Sequence, residues 1–189
     1  MWRYRVLLWV ACVCLVPGAM AGPGAGGEAA AARAARLDAL FADLADAGSP
    51  QEALRIEFDI WDVWKHPADP AIDRLMQEAL TARDHYDYRK ALMLFEQVSR
   101  RAPEYAEPWN QRATIHFELG DYEQSLQEIA ETLAREPRHF GALAGRGLIR
   151  IRQGQQALGC QSIRAAARIH PYIPERYLCP PRVDVGAPD

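Results

Sequence analysis

Three prolines set the frame of this chain. Pro103, Pro137 and Pro171 stand 34 residues apart, and the segments 72–105, 106–139 and 140–173 abut without a gap on that period. Laid over one another, the segments agree elsewhere too. Ala91, Ser125 and Gly159 form one column of small residues, and Gly120 and Gly154 form another. Leu75, Trp109 and Leu143 share a large apolar column near each start, and Phe95, Ile129 and Ile163 share a second. Within a segment, apolar residues recur three or four apart, as in Leu92, Phe95, Val98 and in Leu126, Ile129, Leu133, which marks one face of a helix. Small residues at Ala91, Ala113, Ser125 and Gly147 let two helices approach closely. Gly120 and Gly154 suit the left-handed residue that ends a helix, and each proline stops the second helix. One such unit cannot bury its apolar stripe alone, so neighbours must stack.

These columns resemble the tetratricopeptide repeat, a helix–turn–helix unit of this length. Segment 106–139 is the closest, with Trp109, Ala113, Gly120-Asp121-Tyr122, Ser125, Ile129 and Pro137. The first segment departs from the pattern at Glu78 and Tyr86, the third at Arg146 and Arg150. The fold expected is all-α: a short α-solenoid of three helix–turn–helix repeats, preceded by a helical hairpin over 28–66 and followed by a tail over 174–189.

Residues 1–21 read as a processing segment. Arg3 and Arg5 make a positive start, Val6–Val16 is an apolar run, Pro17-Gly18 breaks it, and Ala19-Met20-Ala21 supplies a small-x-small cleavage pattern. The run is short for a membrane span. A signal peptide cleaved near Ala21 is expected, with no membrane insertion afterwards and a periplasmic or secreted destination. An uncleaved anchor is the rival reading. The glycine-rich stretch 22–27 reads as a flexible linker.

Cleavage would also remove Cys12 and Cys14, leaving Cys160 and Cys179. Two cysteines in an oxidising compartment invite a disulfide that clips the tail over the last repeat. The alternative is a half-buried Cys160 and a free Cys179. The chain lacks a CxxC motif or a Cys/His cluster, and its five histidines have no ligand spacing, so neither a metal site nor a cofactor is expected. With a formal net charge of −3, nucleic acid is not an expected partner.

Before the repeats, 28–47 is an alanine-rich amphipathic stretch with Leu37, Leu40, Phe41 and Leu44 on one face. Ser49-Pro50-Gln51-Glu52 then reads as the start of a second helix, which carries Leu54, Phe58, Trp61 and Trp64 as its apolar stripe. Glu57, Asp59 and Asp62 read as its wet face, and the hairpin as an irregular unit closing the array. Asp69-Pro70 caps the next helix. A narrower resemblance joins Ile56–Trp64 (IEFDIWDVW) and Pro137–Gly145 (PRHFGALAG) to a group of exported bacterial tetratricopeptide proteins, which implies the same compartment.

In the tetratricopeptide family the first helix of each repeat lines a concave groove. The inward positions here give Met76, Leu80, Arg83, Asn110, Gln111, Thr114, Phe117, Leu148 and Arg152 as candidate peptide-binding residues. The family's two-carboxylate clamp, built from Lys/Arg and Asn, is absent, because Met76, Leu80, Gln111, Gly141 and Gly145 stand at its positions. No nucleophile elbow, phosphate-cradling loop or paired-carboxylate cleft is present. The reading is therefore a non-enzymatic adaptor that holds an extended segment of an envelope or secreted protein. In the alternative, a structural protein self-associates, as a homodimer, through a poorly capped third repeat.

Overall fold

The computed structural model describes residues 25–179. Its elements are α1 (Ala25–Asp46), α2 (Pro50–Lys65), α3 (Pro70–Asp84), α4 (Tyr88–Arg101), α5 (Glu107–Glu118), α6 (Tyr122–Arg135), α7 (Phe140–Arg152), α8 (Gln156–Ile169) and a closing 3-10 turn at Pro174–Leu178. The pairs α3–α4, α5–α6 and α7–α8 recur at the 34-residue period. The signal-peptide reading of 1–21 lies outside the described residues. The linker reading needs correction at its end, since α1 already includes Ala25, Gly26 and Gly27.

Four of the helix starts have an evident local cause. Ser49 Oγ accepts from Glu52 N at 3.2 Å, and Glu52 reaches back to Gly48 N at 3.0 Å. Asp69, Asp87 and Asp121 cap α3, α4 and α6 through their carboxylates. The turns between paired helices need one left-handed residue. Gly120 (φ 77°) and Gly154 (φ 76°) supply it in the second and third repeats, whereas Tyr86 (φ 61°) supplies it in the first. In the last pair the helices nearly touch: a Cβ on Gly147 would stand 2.5 Å from Ile163 Cγ1 and 2.9 Å from the Gly159 carbonyl.

The hairpin does not stack on the array as one more unit. α2 lies along the edge formed by the links between repeats. Tyr105, in the first link, donates its hydroxyl to the Trp64 carbonyl. At the second link Trp64 stacks on His139, and at the third Glu57 Oε2 meets His170 Nε2 at 3.0 Å. Beyond α2, the Gln77 amide donates to the Lys65 carbonyl at 2.9 Å. One core therefore joins Leu37, Phe41 and Leu44 of α1 and Ala53, Ile56, Ile60, Val63 and Trp64 of α2 to Phe140, Leu143, Ala166 and Ile173 of the third repeat and its exit.

That placement corrects two readings. The buried stripe of α2 is Ala53, Ile56, Ile60, Val63 and Trp64, while Leu54 and Phe58 are 50% and 66% exposed. The i, i+3, i+4 series through the β-branched residues faces both α1 and the array and turns Leu54 and Phe58 outward, while Trp64 stays in the core and Trp61 packs against it. Glu57 is no free wet acid either: His170 and the Trp61 indole N–H both donate to it, the latter at 3.1 Å, and the His170 bond holds its carboxyl below the usual range.

The tail lies over the last repeat. Ile173 is buried, the Tyr172 hydroxyl donates to the Ala47 carbonyl at 3.2 Å, and a disulfide joins Cys179 to Cys160 beside Ile163 and Ile151. The short tail thus covers part of the third-repeat end that reads as poorly capped in the sequence. Residues 180–189 lie outside the described range.

Candidate functional site

The first helices α3, α5 and α7 stand side by side, and their inward residues have three different fates. Met76 is fully buried and Leu80 is 8% exposed, both in the core of the first repeat with Phe95, Val98 and Tyr105. The expectation that Met76 and Leu80 line an open groove is corrected: both are buried in one cluster with Tyr105 of the first link and Ile115 of the following repeat.

The two amides are also taken. Gln111 is 3% exposed, donates its amide to Glu107 and accepts from the Arg83 guanidinium. Asn110 is 7% exposed and points its amide N–H at the same Glu107 carboxylate, 3.4 Å from both oxygens. Glu107 itself is wholly buried and meets His139 Nε2 at 3.0 Å. The Ala142 N–H donates to His139 Nδ1 at 3.1 Å, so the ring proton sits on Nε2 and points at Glu107. A buried carboxylate with this many donors is fully satisfied and rigid. It engages both amides that a peptide backbone would otherwise meet.

The remaining candidates converge. Thr114, Phe117 and Leu148 are half-buried, and with Asn110, Ala113, Ser125, Ile129, Gly141, Ala142 and Gly145 they line one half-open pocket between α5, α6 and α7. It holds about 370 Å³ of empty space, open solvent included. Arg152 stands at its rim with the guanidinium 4.5 Å from the Phe117 ring centroid. The Thr114 hydroxyl already donates to the Asn110 carbonyl at 3.0 Å, and Ser125 Oγ to the Ala113 carbonyl at 2.8 Å. The floor is therefore apolar in practice, suited to receive an aliphatic or aromatic side chain rather than to pair a backbone.

Sequence reasoning did not select Gly141 and Gly145, although both are inward positions. A Cβ on Gly141 would lie 3.0 Å from Trp61, so α2 borders this pocket at the tryptophan. The segments 56–64 and 137–145, which carry the narrower resemblance, thus pack on each other. Trp61 is edge-on to both His139 and Phe140, at 5.4 and 5.7 Å between centroids.

Among the described residues, no group of three His, Cys, Asp or Glu side chains could hold a metal ion. No helix among them is long and apolar enough to cross a membrane.

The tetratricopeptide-repeat family description matches residues 82–146. A tetratricopeptide repeat-containing protein of Rhizobium etli is 35% identical over 136 residues, covering 72% of this chain and 67% of that protein. Among solved structures, the crystal structure of MamA aligns with a TM-score of 0.48 at 12% identity, over 75% of this chain and 82% of the other. A MamA RS-1 double mutant aligns with the same score at 20% identity, over 74% and 76%. With three helix–turn–helix pairs in place at the 34-residue period and a relative matched over most of both lengths, the chain belongs to the tetratricopeptide-repeat family, whose repeats are scaffolds for protein–protein interaction.

Proposed function

We propose that this protein is an exported, non-catalytic adaptor that binds an extended segment of an envelope or secreted protein through the pocket between α5 and α7. The observation that carries the reading is the pocket. It is half-open on the inward surface, its floor is apolar, and Phe117 and Leu148 face it half-exposed. An extended chain crossing it inserts one large apolar side chain between those two residues, in the manner of pocket-reading peptide sites. Arg152 at the rim adds a cation beside that side chain.

Export is supported by two features. Residues 1–21 have the charge, apolar run and small-residue pattern of a cleaved leader. The Cys160–Cys179 bridge is of a kind that persists in oxidising compartments.

The test is capture of partners from a native envelope extract by the protein and by a Phe117→Asp/Leu148→Asp variant, followed by binding of the captured partner's overlapping peptides. A peptide bound by the parent at least tenfold more tightly than by the variant, with equal thermal melts, supports the reading. Equal binding by both places recognition elsewhere and refutes the pocket.

A further inference from the structure

Charge is unevenly distributed along this array. The third repeat, 140–173, carries five arginines and no acidic residue. The second, 106–139, carries seven acids against three bases, and the hairpin, 28–66, eight acids against four. The register between repeats shows what was lost. In the second repeat Arg112 meets Glu128 at 2.5 Å. The positions 34 residues on are Arg146 and Ser162, where the arginine Nε donates to a neutral hydroxyl at 3.1 Å. Arg150, one turn further along α7, finds only the amide oxygens of Gln153 and Gln155. Among the described residues, Arg146, Arg150, Arg152 and Arg168 form no ion pair. Burial and the Arg150 charge together lower the pKa of Arg146, as a like-charged pair without a carboxylate requires.

An exposed apolar residue sits in this cationic face. Leu158 is 53% exposed and lies one turn before Ser162, whose hydroxyl donates to the Leu158 carbonyl at 3.3 Å. The opposite combination lies on α2. Leu54 and Phe58, one turn apart, are 50% and 66% exposed, and the exposed Asp59 and Asp62 flank them with a single exposed cation, Arg55, between. An exposed apolar ridge flanked by carboxylates and an exposed leucine set beside guanidinium groups that form no ion pair are complementary in chemistry. They lie on different elements of one molecule.

We propose that the α2 ridge of one copy, Leu54 and Phe58 with Asp59 and Asp62, docks on the arginine face of a second copy, Leu158 with Arg146 and Arg150. The occupant of each surface is the other surface of the same chain. Because the two patches differ, the contact is head-to-tail: in a pair one copy keeps its arginine face free and the other its α2 ridge, and association continues beyond two copies. This goes beyond the adaptor reading and does not depend on the pocket, which takes no part in the contact.

The experiment uses two variants, Phe58→Ser/Asp59→Lys at exposed positions and Leu158→Ser/Arg150→Glu at an exposed and a half-buried one, with sedimentation equilibrium and thermal melts. The parent chain is expected to exceed its 21.2 kDa monomer mass increasingly with concentration, between about 10 and 500 µM. The association should weaken about tenfold between low and high salt. Each variant alone should stay monomeric with an unchanged melt. Mixed, the two should form a discrete one-to-one heterodimer, since only one intact patch of each kind remains.

Three results would overturn the proposal. One is a parent that is monomeric throughout the range, and another is variants that stay silent when mixed. The third is a monomeric parent that binds phosphatidylglycerol vesicles in an Arg150-dependent way, which would assign the arginine face to an anionic membrane surface.

Discussion

Trp64 lies flat on His139, with ring centroids 4.0 Å apart and planes 6° from parallel. The histidine's far side of chemistry is fixed by Glu107 and by the first turn of α7. This one stack therefore ties the hairpin, the link between repeats and the buried carboxylate together. Trp64→Ala is expected to cost about 3–5 kcal/mol as a large buried aromatic is lost. His139→Phe removes the histidine donor from the buried Glu107 carboxylate and leaves it the Asn110 and Gln111 amides alone, at about 1–3 kcal/mol. The double variant should fall well short of the sum, because the two residues share one contact. Urea unfolding of the four proteins measures this. Strict additivity would mean that the hairpin is held elsewhere.

Tyr86 occupies a backbone conformation that its repeat counterparts give to glycine, and its ring is 78% exposed. The exposed ring recovers little packing for the strain. Tyr86→Gly should therefore stabilise the first repeat or leave it unchanged, by up to about 1 kcal/mol. Gly120→Ala should destabilise by about 1 kcal/mol, although nothing lies within 4 Å of the added methyl. Melting temperatures decide both. A marked loss on Tyr86→Gly would show that the tyrosine ring, not the turn, holds that edge.

Glu128 is buried beside Arg112, and burial outweighs the arginine, pushing its carboxyl up to about 7. The folded protein thus holds a proton that the unfolded chain releases near the ordinary glutamate value of 4.5. Stability from this group is present below that value and falls as pH rises from there to about 7. Glu128→Gln should flatten this part of the stability profile and match or exceed the parent at neutral pH. Denaturant midpoints taken at half-unit pH steps would reveal it. A slope of unchanged size in the variant would assign the titration to another group.

The Cys160–Cys179 bridge spans 19 residues. Closing a loop of that size stabilises by about 3 kcal/mol on the chain-entropy account. Cys160→Ser/Cys179→Ser should lower the melt accordingly and open Ile163 and Ile151 to exchange first. Protection of those amides that survives the loss of the bridge would show that Ile173 and Tyr172 hold the tail unaided.

Much of the architecture was legible because its causes are local. A 34-residue period, small residues at the helix crossings and aspartate caps all act within one repeat. The position of the hairpin was not legible, because it depends on contacts such as Glu57–His170, separated by more than a hundred residues. Aromatic content pointed to Leu54, Phe58, Trp61 and Trp64 as one stripe. The helix instead turns Ile56, Ile60 and Val63 inward, because two neighbours, α1 and the links, claim that side. At the candidate site, Thr114, Phe117 and Leu148 stand in the pocket at their inward positions. Met76 and Gln111 were misplaced for a specific reason: helical position fixes direction, but not whether Tyr105 or Glu107 already occupies the space.

The most direct test of the adaptor reading places a photo-cross-linking amino acid in turn at Thr114, Leu148 and, as a control on the outward face of α6, Ala130. Each protein is irradiated in its native envelope. Adducts of one partner from the first two positions and none from the third are predicted. A partner trapped from Ala130 alone, or from none of the three, would contradict the pocket as the binding site.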